Sequence, residues 1–327
     1  MNNNHTPLKI VFLDRGGIPP RIKIPSPKAS CEWINYEHTT QAQAAERSMG
    51  ADILVVNKAN VTARLLDACP SIKHVCVTAT GYNVVDTQAC SDRGIGVSNV
   101  PSYAATTVSE HVIGSALLLQ RQILRYKHSV ANGEWQRSNN FCLFGAPFQD
   151  LSGATIGLVG LGEIGLAVAE KAHALGMSVL FNSRSTKSHA FAQQVSLNEL
   201  LAQSDVVSIH CDYNPSTEHL IGGTEIALMR DQSILINTAR GGIADEQAVV
   251  TALNQGKLAG IAFDVLKHEP PANNKGLLSV AHLPNALITP HIAWASEQAM
   301  HYLVNTVANN IDAFVAGQPI NLVNHPK

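Results

Sequence analysis

The chain has 327 residues, 45% of them apolar and 15% charged, with a formal net charge of −2 at pH 7. That length accommodates two domains, each able to bury a proper core, so a cleft between domains is expected. The near-neutral balance excludes the basic excess that nucleic acid or an anionic membrane would favour, leaving small molecules as the expected partners.

The opening "MNNNHTPLKIVFLD" lacks the basic segment and long apolar run of an export signal, and the apolar core of "VIGSALLLQ" is too short to span a bilayer. A cytoplasmic protein without a membrane partner is expected. The six cysteines, Cys31, Cys69, Cys76, Cys90, Cys142 and Cys211, form no CxxC pair and no His/Cys cluster at ligand spacing. They are expected to be reduced thiols, with no metal site.

From the N-terminus, β-rich runs alternate with helical patterns. "KIVFLD" (9–14), "DILVVN" (52–57), "HVCVTAT" (74–80) and "GIGVSNV" (94–100) predict strands buried on both faces, while "TTQAQAAERSMG", "VTARLLDACP" and "VVDTQACSDRG" predict helices that stop at Gly or Pro. This alternation predicts a small doubly wound α/β unit. From position 102 to Gly133 the pattern predicts one unusually long helix, followed by the aromatic-rich, irregular "EWQRSNNFCLFGAPFQD". The segment reads either as a loop covered by a second subunit, which would make the protein a homodimer, or as an ordinary packed loop.

At Leu151 the alternation restarts. "TIGLVG" (155–160), "SVLFNS" (178–183), "DVVSIH" (205–210), "SILINT" (233–238), "LAGIAFD" (258–264) and "ALITPH" (286–291) predict six parallel strands joined by helices, the Rossmann plan. A last helix over 296–316 is expected to return the chain to the first domain. The second domain would then be an insertion.

"GLGEIG" follows the first of these strands and opens a helix, so Gly160, Gly162 and Gly165 match the GxGxxG dinucleotide fingerprint in its proper setting. Glycines there allow a tight turn and close backbone approach, and the helix N-terminus receives the pyrophosphate. In NAD-binding versions an acid ends the second strand and bonds the ribose. Here that strand ends "FNSRSTK", placing Ser183 at the acid position with Arg184, Ser185, Thr186 and Lys187 behind it. A guanidinium among hydroxyls suits a 2′-phosphate, which a carboxylate would repel. NADP(H) is therefore expected over NAD(H), which stays possible. Asp212 in "HCDYNPST" weighs the other way if it faces the adenosine.

The stretch "TPHIAWAS" puts His291 at the end of the sixth predicted strand, with Arg240 of "NTARGG" beyond the fourth and Glu269 of "DVLKHEPP" beyond the fifth. Ligands in open parallel sheets bind outside the carboxyl ends of strands, so three separate ends deliver a cation, an acid and an imidazole to one edge.

With "ATGYNVVD", "VSEHVIG", "GLGEIG", "NTARGGIADEQAVVTAL", "GIAFDVLKHEPP" and "ITPHIAW" in order, the chain resembles the D-isomer-specific 2-hydroxyacid dehydrogenases over nearly its whole length. "FCLFGAPFQDLSG" and "PHIAWAS" look most like the hydroxypyruvate reductase or glycerate dehydrogenase branch. The resemblance implies an α/β protein of two doubly wound parallel-sheet domains: a flavodoxin-like substrate domain (1–101 and 292–327) and an inserted Rossmann dinucleotide-binding domain (102–291). It implies that Arg240 grips the carboxylate and keto oxygen of a short 2-oxo acid, that His291 is general acid in reduction and base in oxidation, and that Glu269 fixes the imidazole tautomer and stabilises the protonated ring. Further implied contacts are Thr80 and Gly81 for the substrate, and Val108, Glu163, Ile164, Cys211, Thr217, Thr238, Ala239, Asp264 and Ala293 beside the fingerprint and Ser183–Ser185 for the cofactor. Asp264 reads either as a partner of the nicotinamide amide or as a turn cap. The alternatives are a reductase of a longer 2-oxo acid such as 2-ketogluconate, and a dinucleotide-sensing, corepressor-like binding protein on the same scaffold.

Overall fold

A computed structural model describes residues 7–145 and 147–326. The chain divides into two compact units, Met1–Ala104 with Ala295–Lys327, and Ala105–Trp294. In the first, β1 (Leu8–Phe12), β2 (Cys31–Asn35), α1 (Gln41–Ser48), β3 (Ile53–Val56), α2 (Ala63–Ala68), β4 (His74–Val77), α3 (Thr87–Asp92) and β5 (Gly96–Ser98) alternate along the chain. The second contains α4 (Ala105–Gln120), α5 (Ile123–Ala131), β6 (Thr155–Val159), α6 (Glu163–Ala174), β7 (Ser178–Asn182), β8 (Ala192–Gln194), α7 (Leu197–Gln203), β9 (Val206–Ile209), α8 (Gly223–Leu228), β10 (Ser233–Asn237), α9 (Glu246–Asn254), β11 (Leu258–Phe263) and β12 (Ala286–Ile288). Helix α10 (Glu297–Val315) belongs to the first unit and packs on β4.

Both sheets are wholly parallel among the described residues, and their central strands are buried and mostly apolar, with His74, Ser208 and Asn237 among the buried polar exceptions. The first runs β2-β1-β3-β4-β5, the flavodoxin-like order. The second runs β12-β11-β10-β9-β6-β7-β8, the Rossmann order with one strand added at the β12 edge. Helices start where polar side chains take up free N–H groups: Thr62 accepts from Leu65 N, Asp86 from Ala89 N, and Ser196 forms a capping box with Glu199.

Three expectations need correction. The first sheet has a fifth strand, β2, whose "CEWIN" is an edge strand only partly buried, so it lacks the apolar run that marks its neighbours. The second sheet has seven strands rather than six: β8 is three residues long and pairs with Val179–Phe181. The long helix is two, because Gln122 turns into the left-handed region at φ 51° between α4 and α5. Neither Gly nor Pro announces that break, and its amide is held by Pro147 O at 2.8 Å instead. The unit junctions at Ala104–Ala105 and Trp294–Ala295 lie slightly beyond the expected 101–102 and 291–292. Thr107 Oγ1 donates to Ala293 O at 2.9 Å, which ties the segment after His291 to the second unit.

In the first unit His74 is fully buried, stacked on Phe314 of α10 at 4.4 Å between centroids, with Nε2 3.0 Å from Ser98 Oγ. Burial holds this imidazole down from 6.5 to about 4. The unfolded chain therefore binds the proton first, and the stability this neutral ring supports is present above about pH 6.5 and lost as pH falls toward 4. Urea unfolding should show a loss of about 2 kcal/mol between pH 7 and pH 5 from this site. A His74→Leu variant should flatten that decline, and an unchanged slope would refute the assignment.

Candidate active site

The register aligns Asn237 of β10 with Phe263 of β11, and Phe263 with Ile288 of β12, so the three strands finish at one edge. Arg240, Glu269 and His291 follow those ends. His291 Nδ1 donates to Glu269 Oε2 at 2.6 Å, with the two side chains 27% and 30% exposed. Glu269 Oε1 accepts from Leu266 N at 2.8 Å, so both carboxylate oxygens are committed and the imidazole cannot rotate without losing its partner. Arg240 joins this edge through its neighbour. A Cβ on Gly241 would collide with the backbone of Leu266 and Lys267, so only glycine lets the two loops touch. The Arg240 guanidinium is exposed, and Nη1 donates to Ala239 O at 2.7 Å.

His291 sits at φ 54°, a left-handed backbone that a residue other than glycine holds only when its surroundings impose it. Asp264, 3% exposed, supplies the restraint. Its Oδ1 accepts from Thr289 Oγ1 at 2.6 Å and Ile292 N at 2.9 Å, its Oδ2 accepts from Ala293 N at 2.9 Å, and its carbonyl accepts from His291 N at 2.8 Å. These bonds make Asp264 a cap of this turn. Trp294 Nε1 donates to His291 O at 3.0 Å, fixing the indole against the same turn.

At the opposite half of the sheet edge the fingerprint has the shape a pyrophosphate needs. Gly160 adopts φ 106°, and a Cβ there would lie 2.8 Å from the backbone of His210 and Cys211. Gly165 leaves no room for a Cβ beneath Gly160 O, whereas Gly162 faces open space at the N-cap of α6 with no side chain capping the helix. Free N–H groups at an open helix start fit a bound phosphate. Glu163 and Ile164 form the first turn of α6. Thr238 Oγ1 is a buried hydroxyl with no partner among the described residues, another group that a bound dinucleotide could satisfy.

The remaining expected contacts differ in what they have left to offer. Ser183 Oγ donates to Ser185 O at 2.5 Å, and Arg184 and Ser185 are exposed. Burial pushes the Cys211 thiol up, Asp212 adds to this, and Arg184 opposes it, so the guanidinium lies within electrostatic reach of the β9 end. The Thr217 hydroxyl is engaged in its own loop, donating to Asp212 O at 2.7 Å. Ala239 N donates to Asn237 Oδ1 at 3.0 Å, and the backbone N–H and carbonyl of Ala293 are both satisfied within the protein. Val108 is buried on α4. In the first unit, Thr80 Oγ1 donates to Val100 O at 3.0 Å and Thr80 O accepts from Asn99 Nδ2 at 2.8 Å, while the N–H groups of Thr80 and Gly81 have no acceptor among the described residues.

Residue patterns did not disclose the supports. Asn237, fully buried, donates to Arg240 O at 3.0 Å and holds the loop that carries the arginine. Asp14, at the end of β1, accepts from the N–H groups of Asn57 (2.8 Å), Lys58 and Ala59 (2.7 Å), fixing the loop after β3. Both belong to strand-end stretches whose signal, a short polar residue after an apolar run, is too common to single them out.

Residues 113–293 match the family described as D-isomer specific 2-hydroxyacid dehydrogenase, NAD binding domain. The chain belongs to that family. As a D-2-hydroxyacid dehydrogenase it is an oxidoreductase acting on CH–OH groups with a nicotinamide dinucleotide. It is 41% identical over 318 residues to the glycerate dehydrogenase of Methylorubrum extorquens, covering 96% of this chain and 98% of that protein. It is 36% identical to the hydroxypyruvate reductase of Blautia hydrogenotrophica, covering 90% and 92%. Among solved structures, the NADPH-dependent glyoxylate/hydroxypyruvate reductase of Sinorhizobium meliloti in complex with NADP and malonate aligns with a TM-score of 0.84 at 28% identity, covering 98% of both chains. No helix of this dehydrogenase is long and apolar enough, among the described residues, to cross a membrane.

Proposed function

We propose that this dehydrogenase reduces a short 2-oxo acid, hydroxypyruvate or glyoxylate, to the D-2-hydroxy acid and prefers NADP(H). The observation that carries the reading is the 2.6 Å bond from His291 Nδ1 to Glu269, which leaves Nε2 as the atom that gives up a proton. Arg240, a planar fork of donors, binds the substrate carboxylate and polarises its keto oxygen. Nicotinamide, when bound, supplies the hydride that reduces C2. His291 then delivers the balancing proton to the former keto oxygen, and Glu269 stabilises the imidazolium before that transfer. Gly160, Gly162, Glu163, Ile164 and Gly165 hold the pyrophosphate, while Ser183, Arg184 and Ser185 receive the ribose and its 2′-phosphate. The neighbouring hydroxypyruvate and glyoxylate reductases support the substrate class, and one of them was solved with NADP.

A spectrophotometric panel of hydroxypyruvate, glyoxylate, pyruvate and 2-ketogluconate, each with NADPH and NADH, tests this. The highest kcat/KM is expected for hydroxypyruvate or glyoxylate with NADPH, by about tenfold over NADH. Reduction of no 2-oxo acid would overturn the enzyme reading, and an NADH preference would overturn the cofactor reading.

We also propose a homodimer in a reducing cytoplasm. Phe141 and Phe144 are 92% and 87% exposed, next to Trp135, Phe148, Ile123 and Val130, whose apolar surfaces are also open to solvent. Arg121, Ile123, Tyr126, Lys127, Val130 and Phe148 line a groove of about 540 Å³ there. A second copy covering these rings removes a larger apolar patch than a monomer ordinarily shows. Light scattering coupled to size exclusion should return twice the chain mass, and a strict monomer would remove the interface. All six cysteines are free thiols, as a reducing compartment maintains them.

A further inference from the structure

The turn that follows β7 is shaped from outside itself. Residues 183–187, "SRSTK", have no regular secondary structure, yet one side chain binds them at three points. Gln194, the last residue of β8, donates from Nε2 to Ser183 O at 3.1 Å and to Ser185 O at 3.1 Å, and its Oε1 accepts from Lys187 N at 2.8 Å. The same Nε2 lies 3.5 Å from Ser183 Oγ. β8 is itself paired to β7 through Phe181 and Gln194, so the amide projects from a rigid strand. The far end of the turn is latched to the fingerprint: Lys187 Nζ donates to Leu161 O at 2.6 Å, the carbonyl between Gly160 and Gly162. An ammonium has three donors, so two remain for an anion.

We propose that Gln194 is a positioning residue for recognition of the phosphorylated ribose, and that Lys187 is a second cation of that subsite beside Arg184. This inference rests on the NADP(H) reading and deepens it. A turn without internal backbone bonds would be mobile when free, and ordering it on each binding event would weaken affinity. Three bonds to one amide hold it in the bound shape beforehand, with Ser183, Arg184 and Ser185 displayed in sequence. Lys187 then adds a second positive charge behind Arg184, held by its bond to Leu161 O. A short strand with an unremarkable glutamine thus takes part in cofactor choice without contacting the reacting centre.

Isothermal titration of the full-length protein with 2′,5′-ADP and 5′-AMP isolates this end of the cofactor. Gln194→Met keeps volume and charge and should weaken 2′,5′-ADP about tenfold while leaving 5′-AMP within about twofold. Lys187→Met should give the same discrimination and also a shallower dependence of 2′,5′-ADP affinity on salt, which Gln194→Met should not change. Equal losses for the two nucleotides, or no change for either variant, would overturn the inference, since a merely structural glutamine affects both ligands alike. If Gln194→Met fails to fold, Lys187→Met on the exposed turn decides alone. A wild-type protein that binds 5′-AMP as tightly as 2′,5′-ADP would instead overturn the NADP(H) reading itself.

Discussion

Replacing His291 with alanine is expected to lower kcat by about 10³-fold while the Kd for a 2-oxo acid changes only a few-fold. The imidazole is held by one short bond to Glu269, which in turn is anchored on Leu266 N, so its removal leaves the neighbouring loops in place. In the proposed mechanism what disappears is the proton donor. Hydride addition to C2 without concerted protonation leaves an alkoxide in the site, stabilised only by the Arg240 guanidinium. Pre-steady-state traces with NADPH should show that the chemical step, and not product release, has become limiting. Near-normal turnover would remove His291 from the mechanism.

Asp264→Ala is expected to reduce kcat by about 10²-fold and to lower the melting temperature as well, although the aspartate lies behind the turn. Its carboxylate, 3% exposed, accepts from Thr289 Oγ1, Ile292 N and Ala293 N. The backbone N–H of Ala293 would be left buried without a partner, at about 1–3 kcal/mol, and that of Ile292 would lose its acceptor. The left-handed conformation of His291 would then relax toward a commoner one and carry the imidazole away from Glu269. Asp264→Asn retains an acceptor oxygen and should restore part of both losses. A variant with full stability and full turnover would show that the turn is self-supporting.

The two effects differ in how visible they were beforehand. His291 stood out because Arg240 and Glu269 recur at corresponding strand ends, a regularity that the parallel-sheet plan converts into proximity. Asp264 reads from the sequence as a strand-end acid, and its capping role is invisible there because the N–H groups it accepts from lie 28 and 29 residues further on. β2 and β8 escaped for a related reason. An edge strand is half solvated and a three-residue strand has no periodicity, so neither carries the apolar run by which β1, β3 and β6 declare themselves. The break at Gln122 carries no residue signal: a glutamine holds the left-handed φ, and its side chain bonds Pro147, 25 residues further on.

The order of residues by itself determined that this protein is α/β, that its second half carries a dinucleotide fingerprint in "GLGEIG", and that a guanidinium, a carboxylate and an imidazole follow three neighbouring strands. Those features are encoded by short-range physics: alternation of buried strands and capped helices, and glycines where a side chain would obstruct a phosphate. Only the tertiary structure decided which nitrogen of His291 faces Glu269, how Asp264 holds that histidine in a left-handed turn, and how Gln194 and Lys187 brace the turn after β7. Each of these is a hydrogen bond between residues separated along the chain, and its existence depends on strand register and backbone direction that no single stretch of residues contains.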